Sequence, residues 1–338
     1  MREPTRTIVY TCPYVPAEWI AAHCLQPRRL VPLPTEGQSV ALRLEGLCPY
    51  ARAFVNDAAA ENADGIVVTT LCDQMRRVYD LLVRGTDKPA FLLNVPKTWQ
   101  TVAAQRLYVD ELKRLGRFLV RLGGRSPTPA ELVKTMIEPA GCAVPTLSPI
   151  AWASRPCRST AVPAVSATGI LPVDVPDAHG RDAHATHGQD ARATAVAVVG
   201  GPLMQRDRIL FDLIEQSGGR VVLDATETGL RGQRRPFDRM RLIENPLLEL
   251  ADAYFSIPDA SRRPNSGLYE WLKDELVKTN ARGIVFHHYV WCDAWRAELS
   301  RLKEWVGLPV LGIDSDGHSE TNLARSQNRI RAFLEMLH

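Results

Sequence analysis

Two stretches far apart in the chain carry the same pattern, and it limits the folds open to them. ADGIVVTTLCDQMRRVYDLLV (63–83) is followed by KPAFLLNVPKT (88–98), and ARGIVFHHYVWCDAWRAELSRLKEWV (281–306) by LPVLGIDSDG (308–317). In each, a Gly opens an apolar, β-branched run that ends in Cys-Asp, at Cys72-Asp73 and Cys292-Asp293. A helix-period segment follows, then a second short apolar run after a Pro. This is strand, helix, strand, and parallel strands need such a crossover. The Asp after each Cys suits the first turn of a helix. Both thiols are therefore expected at the carboxyl end of a strand, where open α/β sheets place their ligands.

A third unit opens the second half. AVAVVGGPL (195–203) reads as a buried strand, QRDRILFDLIEQSGG (205–219) as an amphipathic helix stopped by Gly218, and RVVLDATETG (220–229) as the next strand and turn. WQTVAAQRLYVDELKRLGRFLVRLGG (99–124) is a long helix closed by a Gly pair. The expected fold is α/β, with two doubly wound, Rossmann- or flavodoxin-like parallel-sheet domains at 1–135 and 195–338. Residues 136–194 are the linker. Within it, HGRDAHAT (179–186) is repeated at once as HGQDARAT (187–194), and 154–194 has no Phe, Tyr or Trp. So few core-forming residues predict a flexible surface insertion, and the repeat's histidines fit no closed metal geometry.

Composition narrows the partners. Lys plus Arg is 41 and Asp plus Glu is 38, too even for a dedicated nucleic-acid binder. No apolar run reaches membrane-spanning length, and MREPTRTIVYTCPYVP lacks the apolar core of a signal peptide. A cytoplasmic protein is expected. The nucleotide-binding loop G-x-x-x-x-G-K followed by Ser or Thr is absent, as are G-x-G-x-x-G, G-x-S-x-G, H-E-x-x-H and C-x-x-C. An ATPase and the commonest hydrolase chemistries are thereby set aside.

The seven cysteines are an odd number, scattered over the chain, so a disulfide framework is not expected. Three have polar or turn-rich neighbours: Cys48 in EGLCPYARAF, Cys72 in TTLCDQMRR and Cys292 in HHYVWCDAW. Pro49 suits the first position of a helix, so all three thiols fall near helix N-termini, where the partial positive charge favours thiolate. Two readings stay open from the residues alone. The thiols converge on a crevice as ligands of an iron–sulfur cluster with one unligated corner, or they are buried core thiols.

The chain resembles the 2-hydroxyacyl-CoA dehydratase family, which includes benzoyl-CoA reductase subunits and double-cubane cluster proteins. The resemblance runs through YTCPYVPAEWIAA, EGLCPYARAF, TTLCDQMRRVYDLL with NVPKT, GGPLMQRDRILFDLIEQSGGRVV, WCDAWRAELSRLK and LPVLGIDSDGHSETNLARSQNRIRAFLEML. It implies two α/β domains with a [4Fe-4S] cluster in the cleft between them, held by Cys48, Cys72 and Cys292. It also implies one-electron reduction of an acyl-CoA thioester to a ketyl radical, with loss of water from an (R)-2-hydroxyacyl-CoA or a related acyl-CoA reduction. The implied partners are a paralogous subunit, as heterodimer or homodimer, and an ATP-dependent iron–sulfur activator protein. Cys12 and Glu18 fall in the segment resembling the family's substrate-side loop. They are expected to bind substrate, the alternative being a packed thiol and a helix-capping carboxylate. His287 and His288 lie on the strand leading to Cys292, as core residues or as supports of the cluster. Glu227 in DATETG stands where double-cubane relatives carry Cys, which implies a single cubane or a degenerate subunit. The alternative function is a non-catalytic electron-transfer or structural subunit that docks a catalytic partner.

Overall fold

The middle strands are buried along nearly their whole length, as strands covered on both faces must be. In the computed structural model, which describes residues 6–34, 46–138, 193–317 and 320–337, β1 (Thr7–Tyr10), β2 (Gln26–Arg29), β3 (Gly65–Thr69) and β4 (Ala90–Leu93) form one sheet in the order β2-β1-β3-β4. β5 (Thr194–Gly200), β6 (Gly219–Ala225), β7 (Gly283–Tyr289) and β8 (Val310–Ser315) form a second sheet in the order β6-β5-β7-β8. Every pairing is parallel. In both sheets the strand order reverses beside the first strand, the place where such sheets open a crevice at their carboxyl edge. Residues 139–192, which hold Cys142, Cys157 and most of the tandem repeat, lie outside the described residues.

The helices are α1 (Ala17–Ala22), α2 (Pro49–Ala60), α3 (Asp73–Gly85), α4 (Val102–Arg121), α5 (Pro129–Ile137), α6 (Ile209–Gln216), α7 (Arg239–Glu244), α8 (Pro246–Phe255), α9 (Ser266–Thr279), α10 (Asp293–Trp305) and α11 (Glu320–Leu337). Local chemistry sets several of their starts. Thr101 caps α4 by accepting from the Ala104 amide at 3.2 Å, and Thr128 with Glu131 closes a full capping box on α5. The helix expected over 205–219 is shorter, because residues 206–208 form a 3₁₀ turn before α6. Gly218, at φ +91°, supplies its left-handed stop.

Segments of the second half complete the core of the first. One face of the first sheet packs on α1 and α4, and Leu242, Leu250, Tyr254 and Phe255 of α7 and α8 join that same apolar cluster. Two backbone stitches reinforce the contact. The Gln205 amide donates to Pro32 O at 3.0 Å, and the Arg263 amide to Lys97 O at 2.9 Å. Among the described residues no helix is long and apolar enough to cross a membrane.

Candidate functional site

The carboxyl ends of the two sheets meet over the start of α2. Tyr50 of α2 lies 6.0 Å, centroid to centroid, from Tyr289 at the end of β7. Gly317, in the loop leaving β8, passes so close to Pro49 that a Cβ there would sit 2.8 Å from Pro49 Cβ. Gly200 serves a similar purpose at the end of β5, where a Cβ would fall 2.1 Å from His287 O. Only glycine lets the backbones approach this closely.

Three thiols line this junction. Cys48, Cys72 and Cys292 are the N-cap residues of α2, α3 and α10. All three belong to, or pack against, one apolar cluster that includes Leu47, Tyr50, Met75, Met204 and Tyr289. That cluster takes residues from both halves. The Cys48 sulfur accepts the Ala51 amide at 3.4 Å. The helix N-termini were expected to lower the thiol pKa values; instead burial raises all three, that of Cys48 to about 12. Desolvation of the charged form outweighs the one or two amide hydrogen bonds that each sulfur receives. Each negative sulfur would also penalise the next. Cys72 raises Cys48, and both raise Cys292.

Among the described residues no three His, Cys, Asp or Glu side chains are grouped as ligands of a single metal ion. A cubane places each thiolate on a different iron, so its ligands stand wider apart than those around one ion. The donor set fits such a group in chemistry: three soft sulfurs, that of Cys48 buried and those of Cys72 and Cys292 partly so, that stay protonated without a cation to compensate them.

Within electrostatic reach of Cys72 lies a group of buried polar side chains that the sequence did not reveal as a unit. Cys12, in the turn after β1, is buried, and burial together with Glu227 raises its thiol to about 12. Glu227 follows β6, and its carboxyl is pushed up to about 7 by burial and by Asp259, against the pull of Arg231 and Arg29. Arg29 approaches it at 3.8 Å. The loop that presents Glu227 is pinned. The Asp224 carboxylate accepts from the Thr226 amide at 3.0 Å and its hydroxyl at 2.7 Å. Tyr50 hydrogen-bonds Thr11 at 2.5 Å, and Glu227 and Cys12 both act on its phenol. Arg231, fully buried, donates to Asp259 at 2.9 Å and to Gly200 O at 3.1 Å, with its guanidinium 4.5 Å from the Trp295 ring.

Glu18 is not brought to the thiols. Arg234 donates to one carboxylate oxygen at 2.8 Å and the Tyr254 hydroxyl to the other at 2.6 Å. It fastens α1 to the second half and caps nothing, since α1 has no side-chain cap. His287 and His288 are both buried. Among the described residues His287 has no hydrogen-bond partner at either ring nitrogen, and burial lowers its pKa. Cys24 is exposed in the turn after α1 at φ +63°.

Two parallel α/β units meeting at their carboxyl edges, with thiols at three helix starts, define a class of two-lobed proteins with a cysteine-lined junction. The sequence says which. A family model described as 2-hydroxyglutaryl-CoA dehydratase, D-component, matches residues 12–139 and 175–337, and the chain belongs to that family. No curated protein matches the chain. A solved structure described as the SBP FpvC from Pseudomonas aeruginosa in complex with Mn2+ is similar at 11% identity and a TM-score of 0.26, covering 99% of each chain. A superposition that loose carries no argument.

Proposed function

We propose that this chain is the cluster-bearing subunit of a 2-hydroxyacyl-CoA dehydratase-like enzyme, with Cys48, Cys72 and Cys292 as ligands of a [4Fe-4S] cluster. Residues 1–135 and 195–338 act as its two lobes. The observation that supports the reading is that these thiols, distant in sequence, start three helices against one apolar cluster in a chain of this family. When bound, the cluster supplies a low-potential electron and an open iron for a substrate oxygen. The rest falls to the protein. Leu47, Met75 and Met204 exclude water from the thiol side. Glu227, poised near neutrality, takes or returns a proton at its carboxyl oxygen, and Arg29 steadies the ionised form. Cys12 and Tyr50 line the substrate side, Cys12 as a protonated thiol. Glu18 is a positioning residue, holding the turn that carries Cys12 through Arg234 and Tyr254.

The substrate is an (R)-2-hydroxyacyl-CoA or a related acyl-CoA thioester. A paralogous subunit completes the enzyme, and a separate ATP-hydrolysing iron–sulfur activator delivers the electron, in keeping with a chain that carries no nucleotide-binding loop of its own. The test is anaerobic reconstitution with the paralogous subunit and activator, followed by iron and sulfide analysis and acyl-CoA turnover. Iron with turnover supports the reading. A cluster without turnover assigns an electron-transfer subunit, and iron-free protein a structural one.

A further inference from the structure

Next to Cys292, along the edge strand β8 between α10 and α11, lies a groove of about 600 Å³ with no part in the site above. Trp291 stands at its edge, 62% exposed, with its backbone at φ +67°. A bulky residue in the left-handed region is strained, and such strain gathers where a side chain is held for a purpose. Arg296 and Lys303 project from α10 into the same groove. Among the described residues neither makes an ion pair or a side-chain hydrogen bond. The acid that lines it, Asp314, is matched by Arg329 at 3.6 Å, and Arg329 also donates to Gly312 O at 2.6 Å. An exposed indole beside two uncompensated cations, in a groove of ligand size, offers a flat apolar face and anion-binding groups together.

We infer that this groove binds a phosphorylated purine nucleotide, its base on the Trp291 indole and its phosphates on Arg296 and Lys303. That chemistry has two sources, the nucleotide end of a coenzyme A thioester and a free nucleotide. The inference rests on the groove and not on the cluster, so the two are separable by experiment.

Binding of coenzyme A, dephospho-coenzyme A, ADP and adenosine to the full chain is measured by calorimetry, without iron or turnover. Coenzyme A or ADP binds and adenosine binds far more weakly, with affinity falling as salt rises. Tighter binding of coenzyme A than of its dephospho form identifies the thioester's nucleotide end; equal binding of ADP identifies a free nucleotide. Trp291→Gly removes the indole at a φ that glycine accepts, and weakens binding at least tenfold with the thermal midpoint unchanged or raised. Arg296→Gln with Lys303→Gln, both on an exposed helix face, weakens it similarly and flattens the salt dependence. Failure of every phosphorylated probe to bind at millimolar concentration, or unchanged affinity in both variants, overturns the inference. Iron-loaded, active protein with that result would refute the groove and leave the proposed function standing.

Discussion

Replacing Glu227 by Gln changes how stability depends on pH, by an amount the structure sets. Its carboxyl rises from 4.5 in the unfolded chain to about 7 in the folded one, chiefly through burial, and its side chain is 13% exposed. A folded-state value above the unfolded one means that the native protein holds a proton the unfolded chain releases. Its contribution is therefore fully present below about pH 4.5 and is lost as pH rises through about 7. At about 1.4 kcal/mol per unit, the ceiling is about 3 kcal/mol, most of which falls between pH 5 and 8. Glutamine is neutral throughout and lacks this slope. Denaturant unfolding of cluster-free wild type and Glu227→Gln at steps across that range compares the two slopes. The variant gains on the wild type as pH rises. Parallel stability curves, or a gap that widens toward acid, would refute the buried, proton-holding carboxyl.

Arg231→Met leaves Asp259 charged in the interior and lowers stability by about 3–5 kcal/mol, read as a fall in the thermal midpoint; the Arg231→Met, Asp259→Leu pair costs less. A double-mutant cycle of Glu18→Gln and Arg234→Met returns a coupling of about 1 kcal/mol, the worth of a partly screened, hydrogen-bonded ion pair. Cys24→Gly places glycine at a left-handed position and raises stability by about 0.5–1 kcal/mol, with iron content unaltered.

The sequence made the central strands legible because β3, β5 and β7 are buried on both faces and so read as unbroken apolar runs before a Gly or Cys signal. β2, spelled Gln-Pro-Arg-Arg, carries no such run, for a sheet edge needs little burial. No motif marks the helices α7 to α9 in the sequence. Their docking on the first half depends on contacts such as Tyr254 with Glu18, more than two hundred residues apart. At the site, Cys48, Cys72 and Cys292 were visible from topology and from the Pro or Asp that follows them. The thiol pKa direction was misread, because helix position is written locally and burial is not. Glu227 was noticed only as an absent cysteine. The signal that finds it is its place just past β6, at the carboxyl edge of a parallel sheet.

The ligand assignment is tested most directly by the iron and sulfide content, with the reduced-state electron paramagnetic resonance spectrum, of anaerobically prepared wild type and single Cys→Ala variants in the presence of the partner subunit. Cys48→Ala, Cys72→Ala and Cys292→Ala should each strip or convert the cluster, while Cys24→Ala, Cys142→Ala and Cys157→Ala keep the wild-type iron content and spectrum. Wild-type protein that binds no iron, or a Cys292→Ala variant that keeps its chromophore while Cys142→Ala or Cys157→Ala loses it, would contradict the account.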